Sequence, residues 1–140
     1  DTCLMKLGSK FTVSGNVYKV TKENKEVRFI KAKKKAKTVI IPATVTNKGV
    51  TYKVTSIAAK AVKNNKKVKS VVIGANVKSI SNNAFIKCPA LKKINIKSTL
   101  LTKKTASKKA LKSLNKKLTV KVPKKVKKEY KKIFKGLKIK

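Results

Sequence analysis

A chain of 140 residues with 39 lysines, one arginine (Arg28) and four acids (Asp1, Glu23, Glu26, Glu129) carries a formal charge of +36 and contains neither histidine nor tryptophan. Without histidine the commonest general base and metal ligand is missing, which excludes Ser-His-Asp and Cys-His catalysis, while an apolar content of 41% argues against disorder. One domain with a thin, elongated core is expected at this length; no apolar run approaches the roughly 20 residues that cross a bilayer, and with no leader segment ahead of Asp1 the chain reads as soluble or already processed.

In chain order, FTVSGNVYKV alternates Phe11, Val13, Val17, Tyr18 and Val20 around Ser14-Gly15-Asn16, the pattern of a β-hairpin. VRFI at 27–30 reads as a further strand. Between them Glu23 and Glu26, the closest pair of acids, lie three apart beside Lys22 and Lys25 and read as a solvated turn rather than a catalytic carboxylate pair. TVIIP at 38–42 is a short strand, and Asn47, Lys48 and Gly49 in NKGVTY mark a turn between short strands.

From Val54 the apolar residues repeat at a shift of 23: Val54, Ile57, Ala61, Val62, Val68, Val71 and Ile73 fall on Val77, Ile80, Ala84, Phe85, Leu91, Ile94 and Ile96. At this apolar content a preset seven would match by chance roughly once in five hundred trials. LKKINIK holds Leu91, Ile94 and Ile96 at L-x-x-I-x-I spacing, the strand part of a leucine-rich repeat, and VKSVVIGAN repeats it with Asn76 at the expected asparagine position. The block Val77, Ser79, Ile80, Ala84, Phe85, Cys88, Leu91, Ile94 and Ile96 closely resembles the unit of the BspA-type leucine-rich repeats of bacterial surface proteins. Downstream, Ala110, Leu111, Leu114, Val120 and Val122 repeat the second half of the unit at a shift of 26.

The expected fold is therefore α/β: a short leucine-rich-repeat solenoid of parallel strands and helical turns, with an N-terminal β-hairpin cap and a C-terminal helical cap. Residues 1–37 form the first cap, 38–122 the repeats and 123–140 the second cap, since the end units of a solenoid would otherwise expose their apolar interior. In the last segment Val126, Tyr130, Ile133 and Phe134 recur at helical spacing after Pro123, Gly136 can end the helix, and GLKIK has room for a final short strand.

Four acids cannot neutralise forty bases, so most lysines must face water, attract polyanions and hold copies apart as monomers. The candidate polyanion-binding residues are the turn groups Lys33-Lys34-Lys35, Lys66-Lys67, Lys92-Lys93 and Lys116-Lys117, expected to line one edge as a ridge, with Lys121 and the C-terminal series Lys124, Lys125, Lys127, Lys128, Lys131 and Lys132. A second candidate is the outward sheet face, Thr38 and Ile40, Ser70 and Val72, Lys93 and Asn95, Thr119 and Lys121. With 39 lysines to one arginine, diffuse attraction is favoured over the bidentate reading of bases. Phe85, Tyr130 and Phe134 sit at core positions, which leaves little for base stacking. Cys88 occupies a small apolar slot that Asn65 and Leu114 fill in sister units and is expected as a buried free thiol, with Cys3 in a mobile terminus. No catalytic residue, metal site or cofactor is implied.

The resemblance implies a secreted or cell-surface bacterial module that binds rather than catalyses, in adhesion or in association with anionic polymers: a wall polymer, a sulfated glycan or host matrix. A protein ligand at the cell surface is a further partner. The alternatives are a nonspecific nucleic-acid-binding protein, suggested by the KAKKKAK run at 31–37, and a structural or partner-docking repeat domain.

Overall fold

In the computed structural model, which describes residues 6–111 and 115–140, the chain winds into a β-solenoid of about four turns. Cys3 and Leu114 lie outside the described residues. The main wall is a five-stranded parallel sheet of β4 (Thr38–Ile41), β8 (Ser70–Ile73), β11 (Lys93–Ile96), β12 (Thr119–Lys121) and β13 (Lys138–Ile139), in that spatial order. Pairing in register stacks Val39, Val71, Ile94 and Val120 in one inward row and Ile41, Ile73 and Ile96 in the next. These are the alternate positions of the L-x-x-I-x-I pattern, and a one-residue slip would turn every one of them to water.

A second wall carries β3 (Glu26–Lys31), the end of β6 (Val50–Ile57) and β9 (Ser79–Ile80), again parallel, with Phe29 beside Ile57 and Ile57 beside Ile80. Between the walls runs the two-stranded parallel pair β7 (Val62–Lys63) and β10 (Phe85–Ile86). The coil ladder thus starts at β3, upstream of residue 38 where the repeat pattern becomes legible. Two antiparallel hairpins sit at this end: β1 (Lys10–Val13) with β2 (Asn16–Lys22), and β5 (Thr44–Asn47) with β6. Both have tight two-residue turns with positive φ at each central residue, Ser14-Gly15 (52° and 84°) and Lys48-Gly49 (50° and 80°), the geometry that follows strand twist.

The helical turns expected within each unit are corrected: the described links between the walls are turns and two-residue strands. The cause is local. Lys60, Asn64, Asn83 and Lys87 hold positive φ of 52–60°, and left-handed residues at such spacing interrupt any α-helix. The described α-helix is α1 (Lys127–Ile133), which follows a 3-10 turn at Lys124–Val126 and leads into β13, so the GLKIK tail does add a strand to the main wall. Tyr130 ties α1 to the coils: its hydroxyl donates to Ser98 O (2.7 Å) and accepts from Leu101 N (3.2 Å).

One continuous core runs from Phe11 to Phe134 and includes Ile57, Ile73, Ile80 and Ile96. Full burial of each such side chain contributes about 1.5–3 kcal/mol. Cross-coil hydrogen bonds add to it. Asn76 Nδ2 donates to Ala43 O (2.9 Å), and Asn65 donates to Ala36 O (3.0 Å) while its Oδ1 accepts from Lys67 N (2.8 Å) and Val68 N (3.0 Å). The slot shared by Asn65 and Cys88 is therefore a polar clamp between coils, not simply an apolar pocket; Cys88 fills it as a free, buried thiol, with Sγ 3.6 Å from Val62 O. At Gly74 the coils approach so closely that a Cβ would lie 2.6 Å from Ala43 N and 2.7 Å from Ile41 O. Among the described residues the ion pairs are Lys78–Glu26 (3.9 Å) and Lys132–Glu129 (3.8 Å), too few and too exposed to offset the net charge.

Candidate functional site

Every residue assigned to the outward sheet face lies where alternation put it, in two straight rows. Parallel register aligns Thr38, Ser70, Lys93, Thr119 and, one strand further, Lys138; beside them run Ile40, Val72, Asn95 and Lys121. Neighbours within a row are about 4.8 Å apart, the strand spacing. The first row opens with hydroxyls, Ser70 Oγ donating to Thr38 Oγ1 (3.3 Å). The second grades from Ile40, which is 57% exposed, to the ammonium of Lys121.

The lysines sort outward. None of those described is buried, and of the sixteen polyanion candidates Lys127 alone is half-buried, the rest being exposed. They do not make one ridge, however. Asn65 accepts from Lys67 N and Asn115 accepts from Lys117 N in the same way (both 2.8 Å), so Lys66-Lys67 and Lys116-Lys117 occupy equivalent turns two coils apart. The coil between them places Pro89 and Ala90 there, which breaks the line. Lys92 and Lys93 belong to another edge, where their N–H groups donate to Lys69 O (3.1 and 3.2 Å) at the entry to β11. Lys124, Lys125, Lys127, Lys128, Lys131 and Lys132 form a separate patch on the 3-10 turn and α1.

What the fold does bring together is the run Lys33-Lys34-Lys35 with Lys66 and Lys67, across a groove of about 470 Å³. Lys31, the first residue of the KAKKKAK run, and Lys63, which no sequence argument singled out, complete its rim, and Ala32, Ala61 and Val62 form the floor. The signal lay in Ala32 and Ala61, which align in adjacent coils through an Ala32 N to Ala61 O bond of 2.9 Å. That alignment lies outside the 23-residue shift by which the repeat is recognised.

Glu26 is not part of a solvated turn. It begins β3, where its Oε1 accepts from Thr55 Oγ1 (3.3 Å) and its Oε2 faces Lys78, whereas Glu23 accepts from Leu7 N (3.4 Å). Burial pushes the Cys88 thiol above its usual range, which suppresses the thiolate, and likewise raises the phenols of Tyr18 and Tyr130. All seven aromatic side chains are buried; Phe11, Tyr18 and Phe29 join Tyr52 in a ring cluster beneath the N-terminal hairpin. No ring therefore stands out to stack on a base or a sugar. Among the described residues no group of three side chains is placed to hold a metal ion, and no helix is long and apolar enough to cross a membrane.

A family model described as a BspA type leucine rich repeat region matches residues 43–140 in six copies. The fold is similar to that of a leucine-rich repeat protein from Bacteroides capillosus ATCC 29799, solved as a crystal structure, at 17% identity over 94% of this chain and 99% of that one, with a TM-score of 0.60. At that identity the likeness speaks for the fold alone. No curated protein matches the chain.

Proposed function

Because the chain belongs to the BspA-type leucine-rich-repeat family, we propose that it is a binding module of a secreted or surface-displayed bacterial protein that associates with anionic polymers through its outward lysines. Repeats of this family are typically non-enzymatic interaction modules, found on cell surfaces or secreted. One observation carries the polyanion reading: with a charge of +36, no described lysine is buried, and two ion pairs are described. The positive field is thus left almost wholly available to a partner. Adhesion to a wall polymer, a sulfated glycan or host matrix follows from the same chemistry.

The nucleic-acid alternative is weakened by two features. A single arginine offers almost no bidentate reading of bases, and the seven buried rings offer no stacking. A protein partner would instead use the sheet face, where Ile40 and Val72 supply apolar surface beside Lys93 and Lys121.

Titration of poly(glycerol phosphate), heparin and duplex DNA by calorimetry over a salt series tests these readings. Binding through lysines predicts affinity that falls as salt rises, with a log-log slope of about 0.7–0.9 for each charge contact. Absence of binding to all three at physiological salt would refute the polyanion reading. Binding that persists at high salt and disappears on replacing Lys93 and Lys121 with Ser would move the site to the sheet face.

A further inference from the structure

The groove between the first two coils has features that a mere patch of surface lysines lacks. β7 pairs with β10 on one side, but among the described residues no strand pairs with its other side, because the first coil leaves the ladder after the Ala32 N to Ala61 O bond (2.9 Å) and returns at the Asn65 Nδ2 to Ala36 O bond (3.0 Å). Between these two clamps residues 33–35 arch away, with Lys35 held at φ 60°. The arch is itself fixed. Lys33 N donates to Asn16 Oδ1 (2.8 Å), and the Lys33 stem lies over Gly15, where a Cβ would meet Lys33 Cγ at 2.9 Å. The gap is therefore built by three bonds, two to the second coil and one to the N-terminal hairpin.

Its chemistry is specific. Seven lysines line it around a floor of two alanines and a valine, and among the described residues no carboxylate does. Val62 N and Asn64 N donate to Ala84 O and Ile86 O in the next coil (2.9 and 3.0 Å), so strand alternation turns the N–H of Lys63 toward the groove as a backbone donor. Lysine presents point charges rather than flat forks. The matching ligand is slim, carries single charges at intervals and has apolar linkers between them.

We propose that this groove seats a polyol chain linked by phosphodiesters, its phosphates on the lysines of the two walls and its CH and CH₂ groups on Ala32, Ala61 and Val62. The inference rests on the polyanion reading and narrows it to one site and one class of polymer. A sulfated glycan carries its charges on rings, for which the groove has no flat aromatic face. A nucleic-acid duplex is too wide to reach the floor.

The test uses the full chain and poly(glycerol phosphate) of defined length, with heparin and duplex DNA in parallel, by calorimetry at physiological salt. The triple variant Lys34→Gln, Lys63→Gln, Lys67→Gln is compared with Lys22→Gln, Lys97→Gln, Lys135→Gln, which removes the same charge from exposed positions outside the groove. Expected is a loss of at least about tenfold for the groove triple on poly(glycerol phosphate), against less than about threefold for the control. If both triples lose affinity equally, the groove is not the site, while the general polyanion reading stands. If the groove triple weakens heparin or DNA as much as poly(glycerol phosphate), the polymer class is wrong. Failure of the unmodified chain to bind any of the three refutes both readings together. Should the groove triple prove unstable by circular dichroism, Lys66→Gln alone, at an exposed position, must still weaken poly(glycerol phosphate) more than Lys97→Gln does.

Discussion

Coils 54–76 and 77–99 bury the same seven positions and differ at almost every residue that meets a turn. Inside, Val54, Ile57, Ala61, Val62, Val68, Val71 and Ile73 face Val77, Ile80, Ala84, Phe85, Leu91, Ile94 and Ile96, all of them buried. At the corners, Asn65 becomes Cys88, Gly74 becomes Lys97, Lys66-Lys67 becomes Pro89-Ala90, and Lys60 and Asn64 become Asn83 and Lys87. Stacking fixes the interior, because each inward row is shared by several coils. A corner, by contrast, has only to satisfy its own backbone, and it can do so in more than one way.

The interior half of the comparison should break hardest. Ile96 is 1% exposed and stands in register with Ile73, so Ile96→Ala leaves a cavity that rigid strands cannot close. A loss of about 3–5 kcal/mol is expected, read as a fall in the urea midpoint. Ile73→Ala should cost a similar amount, and a loss below about 1 kcal/mol at either site would mean that the coils do not share one core. Next comes Gly74. The atoms that crowd an added Cβ there are all backbone of residues 41–43, so Gly74→Ala should cost about 2–3 kcal/mol. Lys97→Ala, at the matching corner, should stay within about 0.5 kcal/mol.

The clamp position separates the coils more finely. Asn65→Ala strips partners from Val68 N, Lys67 N and Ala36 O, for an expected loss of about 2–3 kcal/mol. Cys88→Ala removes two long thiol contacts, to Val62 O and Ile86 O, and a small side chain, for about 1 kcal/mol. Equal losses would mean that the asparagine acts only by filling space.

These differences also explain what was legible in the sequence. The two rows of the sheet face could be read because alternation and the 23-residue shift fix direction and register together. The first coil could not be read the same way: its offset from the second drifts from 27 residues at Val27 and Val54 to 32 at Val39 and Val71, so no single shift aligns it. The groove depends on that coil and is hidden with it, although Lys33, Lys34, Lys35, Lys66 and Lys67 stand out in the sequence as lysine runs. The clamp was mistaken for an apolar slot because Asn and Cys share size but not bonding. The turns were expected to be helical because lysine, a good helix former, gives no sign that Lys60 and Lys87 are left-handed.

Those two lysines give the smallest and sharpest test. Lys60 (φ 59°) matches Asn83 (φ 60°), and Lys87 (φ 57°) matches Asn64 (φ 52°), so each coil has one comfortable and one strained corner, exchanged between the coils. Asparagine tolerates this conformation better than lysine, because its short side chain bonds locally to the backbone. Lys60→Asn and Lys87→Asn should therefore each stabilise the chain by about 0.5–1 kcal/mol. Removing a positive charge from so basic a body would also stabilise it, and the two effects must be separated. Lys60→Gln removes the same charge but keeps a side chain unsuited to positive φ, so it should give less than half of the asparagine gain. The charge part should shrink further as salt rises, whereas the conformational part should not. If glutamine matches asparagine at every salt concentration, electrostatic repulsion rather than backbone strain sets the difference between the two corners.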